Sequence, residues 1–230
     1  MGLCPFSDPA ADFAPSKPAR LPVKGGEENA GDKGTRELRT GRLTLRRFVL
    51  PDADVMFQNY AADGRVTRFL SWEPYQSAEE VRRFVASVIG AYGREDFYHW
   101  AIEFEGQIVG SISAIGIDER NGCCEVGYCI ACDQWNRGIT TEALKAAMSF
   151  LFAEVGFRRI TAKHDIENLA SGAVMKKCGM LYEGRLREHY RRHDGSYGDA
   201  LAYGILKKEF LGGAGESTGF AGDKTEDLNG

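Results

Sequence analysis

The sequence predicts a mixed α/β domain: a sheet of six to seven strands with about four helices packed on it. Three observations predict it. Period-two alternation of apolar residues recurs in short runs. Helical spacing recurs in longer ones. The two kinds interleave in the order strand, two helices, three strands, helix, strand, helix, two strands.

Leu43-Thr-Leu-Arg-Arg-Phe48 alternates as the first strand. Pro51-Asp-Ala-Asp opens a helix carrying Val55, Met56, Phe57 and Tyr60, since proline suits a first helical turn. Ser77 with Glu80 forms a capping box, and the helix after it spaces Val81, Phe84, Val85, Val88 and Tyr92 along one face. Trp100, Ile102 and Phe104 alternate along the next strand. Glu105-Gly106-Gln107 turns the chain, and residues 108 to 117 return as the second arm of a hairpin. Residues 123 to 132 read as a further strand. From about Gly138 a strong helix places Leu144, Ala147, Met148, Leu151, Phe152 and Val155 on one continuous face. Residues 159–164 form a strand, and 169–178 a short helix closed by Gly179. Residues 181–186 and 200–206 supply two closing strands.

This body spans 39–211 and is flanked by segments without apolar period. Residues 1–38, rich in Pro, Gly and Ala, read as a disordered leader. Residues 212–230, with Glu216, Asp223, Glu226 and Asp227 against one Lys224, read as a flexible acidic tail. The 230 residues are 43 % apolar and 11 % aromatic, which are globular values. A net charge of −4 argues against nucleic acid as a partner. No run approaches the roughly 18 apolar residues that cross a bilayer. The start lacks the charged and apolar regions of a secretory signal, and Phe6 stands where a myristoylation motif needs Ser or Thr. A cytoplasmic protein without a membrane partner is expected.

Four of the six cysteines crowd into residues 123–132. Cys129 and Cys132 have the spacing of a zinc or redox half-site, but on a strand residues three apart point to opposite faces. No second such pair completes a tetrahedral site, so buried reduced thiols and no metal are expected.

The stretch Glu125-Val-Gly-Tyr-Cys-Ile-Ala-Cys-Asp-Gln-Trp-Asn-Arg-Gly-Ile-Thr-Thr-Glu-Ala-Leu144 runs from a strand through a one-glycine loop directly into the strongest helix. Such a junction gathers unsatisfied amides and the positive dipole end, which favour a phosphate. Gly138 lets the backbone approach an anion, Thr140 and Thr141 add hydroxyls, and Arg137 adds charge. No GxxxxGK[ST] or GxGxxG occurs, so the phosphate carrier is not read by a nucleotide motif.

This run resembles the acyl-CoA motif of the GNAT N-acetyltransferase superfamily, and most closely the branch of ribosomal-protein N-terminal acetyltransferases. Glu125, Gly127 and Tyr128 fit the family's strand; Trp135, Arg137, Gly138, Thr141, Glu142 and Ala143 fit its loop and helix start. A second block, residues 167–180, is similar to the family's Asn-x-x-Ser-x-x-Val-x-x-Lys-x-Gly-Phe helix. Residues 183–187 and 195–199 resemble its closing strands. The resemblance covers about 40 to 210 and implies a mostly antiparallel GNAT-like sheet. It implies acetyl-CoA as co-substrate and a primary amine as acceptor, either a protein N-terminus or a small molecule, in a monomer or homodimer.

The resemblance further implies that the pantetheine arm pairs with backbone groups of Ile130, Ala131 and Cys132. The pyrophosphate is expected at Arg137, Gly138, Ile139, Thr140 and Thr141, and the pantetheine amides at Asn168. Asn168 also suits a helix N-cap. Since an amine must be neutral to attack a thioester, a proton acceptor is needed, and Glu125 is its expected identity. An ion-paired surface glutamate is the alternative. Ser171 is expected beside the CoA sulfur, with close helix packing as its alternative. Met175 stands where many relatives carry a tyrosine acid, and Thr140 where they carry Gly or Ala. Those departures leave a rival reading, an acyl-CoA-binding sensor without turnover. With no activated Cys–His pair, direct transfer in a ternary complex is expected over a covalent intermediate.

Overall fold

A computed structural model describes residues 33–212. One sheet of eight strands runs through them: β1 (Leu38–Arg39), β2 (Leu43–Arg46), β3 (Tyr98–Phe104), β4 (Gln107–Asp118), β5 (Cys123–Ile130), β6 (Arg159–Asp165), β7 (Leu181–Arg191) and β8 (Tyr197–Leu206). Their order across the sheet is β1-β2-β3-β4-β5-β6-β8-β7, antiparallel throughout except at β5–β6. The helices are α1 (Asp52–Met56), α2 (Gly64–Thr67), α3 (Ala78–Ala91), α4 (Ile139–Phe150), α5 (Leu169–Lys177) and α6 (Lys207–Gly212). Both α1 and α4 run on into single π turns, Phe57–Ala61 and Leu151–Val155.

Each sheet face carries its own core. One face buries Trp100, Ile112, Leu144, Met148, Leu151 and Phe152 with α4 and α5. The other buries Phe48, Met56, Tyr60, Val81, Val85 and Val88 with α1 and α3. At about 1.5–3 kcal/mol for each fully buried Val, Leu or Phe, these stripes fix which face each helix turns inward. Ser77 Oγ accepts from the Glu80 amide at 3.3 Å, as the capping box requires. The returning carboxylate accepts from the Gln76 amide at 2.9 Å, one residue earlier than expected.

The sequence reading falls short at three strands. Residues 33–38, assigned to the leader, are seated against β3. Thr35 is buried and donates to the Phe97 carbonyl at 2.8 Å, and the Trp100 indole donates to the Arg36 carbonyl at 2.6 Å. Polar residues anchored through hydrogen bonds between side chain and backbone give no apolar period to read. Residues 1–32 and 213–230, and with them most of the leader and tail, lie outside the described residues. β7 is longer than expected because it is an edge strand exposed on both faces, which removes the alternation that marks a half-buried strand. β5 is shorter: it ends at Ile130, and Cys132 begins a 3-10 turn.

The single parallel junction positions the site. β5 and β6 pair only through Cys123–Arg159, Cys124–Ile160 and Glu125–Thr161. Both strands continue, β5 to Ile130 and β6 to Asp165, but their ladder does not, so they splay apart.

Candidate active site

The splay turns part of β5 into an inward-facing edge. The Ala131 amide donates to the Val109 carbonyl of β4 at 2.8 Å. In an antiparallel pair the direction of the backbone groups alternates, so those of Ile130, Tyr128 and Val126 face away from β4, toward β6. Of the three residues expected to pair with an extended ligand, Ile130 therefore lies on the cleft edge, with its carbonyl already accepting from the Trp135 indole at 3.2 Å. Ala131 does not: β4 holds its amide, and its carbonyl accepts from the Gln134 amide at 3.0 Å. The Cys132 carbonyl accepts from the Trp135 amide at 3.3 Å and its thiol donates to Asp63 Oδ2 at 3.2 Å. Cys129 instead meets Ser111 Oγ at 3.4 Å, so the two thiols have separate partners.

Beyond β5 the chain passes Asn136 (φ 61°) and Gly138 (φ 76°), two left-handed residues that swing it into α4. Glycine meets this conformation without strain. As N-cap, Gly138 offers no side-chain acceptor, whereas Ser77 caps α3 and Asn168 caps α5. The first helical bond runs from the Glu142 amide to the Gly138 carbonyl at 3.0 Å. The amides of Ile139, Thr140 and Thr141 precede it and have no partner four residues back. Amides left open at the dipole's positive end are the arrangement that favours an anion.

Arg42 braces this loop from β2's side. It donates to the Arg137 carbonyl at 3.1 Å and pairs with Glu142 at 2.7 Å, and Thr40 Oγ1 donates to the same carboxylate at 2.6 Å. Burial pushes the Glu142 carboxyl up, but the Thr40 and Arg42 bonds outweigh it and hold it below the ordinary range. Its charge is thereby matched by Arg42. The Arg137 side chain lies over Phe104, 4.8 Å from the ring centre, and donates to Gln134 Oε1 at 2.6 Å.

Across the cleft, α5 presents Ser171. The Asn168 side chain accepts from the Ser171 amide at 3.2 Å, so the N-cap role expected of Asn168 is the one it fills. α5 approaches β6 at Gly172, where a β-carbon would stand 2.6 Å from His164 Nε2. His164 is buried, stacks on Tyr203 and bonds the Asp165 carbonyl through Nδ1 at 2.8 Å. Tyr128, from β5, brings its hydroxyl to 3.0 Å from Ser171 Oγ and 3.1 Å from the Ser171 carbonyl. The sequence reading placed Tyr128 in a motif without giving it a contact. Met175 is buried in the core, away from any proton-donating role.

Glu125 lies on the opposite side of β5 from Tyr128 and pairs with Lys163 of β6 at 3.0 Å, as its ion-pair alternative expects. His189 of β7 belongs to the same neighbourhood: burial and the Lys163 charge lower its pKa while Glu125 opposes them. On this side three distant segments meet. His193 Nε2 contacts the Leu70 carbonyl at 3.0 Å, Arg68 pairs with Glu167 at 3.2 Å, and Arg192 grips the buried Asp165 with two bonds of 2.9 Å. Among the described residues no cluster of His, Cys, Asp or Glu is arranged to hold a metal.

Comparison with known proteins follows the same outline. Residues 42–181 match the acetyltransferase (GNAT) domain family. The uncharacterized N-acetyltransferase p20 of Bacillus licheniformis is 29 % identical over 177 residues, which is 76 % of this chain and 98 % of the relative. The ribosomal-protein-serine acetyltransferase of Escherichia coli (strain K12) is 27 % identical over 135 residues, 58 % of this chain and 75 % of the relative. Among solved structures, a ribosomal L7/L12 alpha-N-protein acetyltransferase in complex with coenzyme A shares the fold at a TM-score of 0.67 and 22 % identity, covering 74 % of this chain and 98 % of that one.

Proposed function

The chain belongs to the GNAT acetyltransferase family and is an acyl-CoA-dependent N-acyltransferase, and we propose that it transfers an acetyl group from acetyl-CoA to a primary amine by direct attack. One observation carries the reading. The uncapped amino end of α4 and the inward-facing edge of β5 lie in sequence along one path, an anion site followed by a row of backbone donors and acceptors. Pyrophosphate followed by an amide-bearing arm is the chemistry that fits such a path.

In this reading the amides of Ile139, Thr140 and Thr141 receive the pyrophosphate, with Arg137 beside it. The edge of Ile130, Tyr128 and Val126 pairs with the pantetheine. The acetyl thioester then lies where β5 and β6 separate, between Ser171 on one side and Glu125 on the other. The amine nitrogen attacks the carbonyl carbon, the C–S bond breaks, and its electron pair leaves on sulfur, where the Ser171 hydroxyl donates a hydrogen bond. The proton released by the amine passes to the Glu125 carboxylate directly or through water. A lysine or α-amine is mostly protonated at neutral pH, so a nearby carboxylate lowers the cost of reaching the neutral nucleophile. The acceptor is a protein N-terminal α-amine or a small amine. The E. coli relative, named for a ribosomal-protein serine, favours the protein acceptor.

Calorimetry with acetyl-CoA on the wild type and on Gly138→Asp tests the reading. A carboxylate at the centre of the anion site repels the pyrophosphate, so the variant is expected to lose binding by at least about a hundredfold. Wild-type protein that takes up no acetyl-CoA at about millimolar ligand would sink the proposal.

A further inference from the structure

We propose that Tyr128 is a positioning residue that frees the Ser171 hydroxyl to serve the departing sulfur. The inference rests on the placement of Ser171 beside the thioester. A serine hydroxyl is a poor guest at a leaving group unless something fixes it, because it rotates freely and has nearby backbone acceptors to satisfy. Here the fixing group comes from another element. Tyr128 rises from β5 to meet the first turn of α5, and its single hydroxyl proton faces two acceptors at nearly equal range: Ser171 Oγ at 3.0 Å and the Ser171 carbonyl at 3.1 Å.

That bifurcated geometry defines two arrangements. In one, the Tyr128 proton is on the Ser171 carbonyl and the phenol oxygen accepts the Ser171 O–H. In the other, the Tyr128 proton is on Ser171 Oγ, and the Ser171 O–H is directed elsewhere. Rotation about the C–O bond of each hydroxyl exchanges them, with no heavy atom moving and no proton leaving its oxygen. Negative charge growing on the sulfur favours the second arrangement, since only there does it receive the Ser171 hydrogen. Tyr128 does not itself surrender a proton. Burial raises its pKa far above that of an ordinary phenol, so it stays an O–H donor through the alkaline range in which amines become neutral. The proton that finally neutralises the thiolate is the one lost by the amine.

The bound CoA thiol reports this without any acceptor. Its ionisation can be followed by thiolate ultraviolet absorbance across pH in wild type, Ser171→Ala, Tyr128→Phe and the double variant, each saturated with CoA. A hydrogen bond to the thiolate lowers the thiol pKa. Wild type is therefore expected to titrate lowest, both single variants to move the value up, and the double variant to move it no further than Ser171→Ala alone. Non-additivity of this kind separates action through Ser171 from general loosening of the fold. A Tyr128→Phe value equal to wild type, or a double variant shifted beyond Ser171→Ala, overturns the inference. An unshifted Ser171→Ala overturns the placement of Ser171, and the inference with it. Failure of the wild type to bind CoA at all would strike the proposed function instead.

Discussion

The two sides of the cleft are built by different means. On the side of α4 and α5, backbone geometry does most of the positioning, with Arg42 and Thr40 bracing it through Glu142: a left-handed glycine, an uncapped helix end, a strand edge turned inward, and a helix brought against β6 by Gly172. On the side of residues 64–75 and the β7–β8 hairpin, side chains from distant parts of the sequence hold each other: Arg68 to Glu167, Arg192 to Asp165, His193 to the Leu70 carbonyl. The difference teaches where each kind of specificity resides. On the proposed function, the backbone-built side would receive the donor common to the family and the side-chain-built side the acceptor.

The sharpest way to break that contrast is Gly172→Ala. Its β-carbon would fall 2.6 Å from His164 Nε2, and the ring cannot swing away while stacked on Tyr203. Overpacking of this kind costs about 1–3 kcal/mol. A melting temperature lower by roughly 2–4 °C for each kcal/mol is expected, with transfer impaired because Ser171 moves with the helix. In a His164→Ala background, which removes the clashing ring, the further drop caused by Gly172→Ala should vanish. Unchanged melting in Gly172→Ala would mean that close backbone approach does not set this side.

A second effect of similar size belongs to the other face. His99 is buried among Phe48, Phe84 and Phe97, and desolvation pushes its pKa down to about 4. The unfolded chain binds that proton from about pH 6.5. Its contribution to stability is thus complete above about 6.5, declines as pH falls, and is lost as pH passes about 4. A cost of about 2–3 kcal/mol is expected between pH 7 and 4.5. Denaturant unfolding at both pH values, with His99→Phe alongside, checks it. The variant should show the smaller difference, and equal differences would refute the assignment.

The smallest effect sharpens the contrast. Arg68 and Glu167 form a largely exposed pair, at 66 % and 45 % side-chain exposure. Arg68→Ala should change stability by no more than about 0.5 kcal/mol. It should leave acetyl-CoA affinity untouched and raise the acceptor KM, an effect that fades at high salt. A changed acetyl-CoA affinity would show that the two sides are not separable.

The same contrast explains what could be read before the structure. The loop into α4, the Asn168 cap and the turn at Gly179 were legible because each depends on residues within a few positions of one another, and Gly, Asn and Thr are chosen there for backbone reasons. The brace from Arg42 to Glu142 spans 100 positions, and Tyr128 to Ser171 spans 43, so no local pattern announces them. Strand direction alone does not say which residues of β5 are spent on β4. That parity appears only once Ala131 is seen bonded to Val109. β1 escaped notice because it has only two residues, too few to show alternation, and the segment before it is held by polar bonds from Thr35 and to Arg36.

The junction between β5 and β6 has three rungs. Five strands lie on one side of it and three on the other, and apart from the two-residue edge strand β1 no strand is joined to its neighbour by a shorter ladder. A donor molecule lying along the cleft would touch both panels and splint them, and at a hundred times its Kd it would add about 2.7 kcal/mol to the cohesion of the whole. Release of spent CoA from that position would remove the splint. With the donor placed as proposed, each turnover would tighten and then slacken this seam.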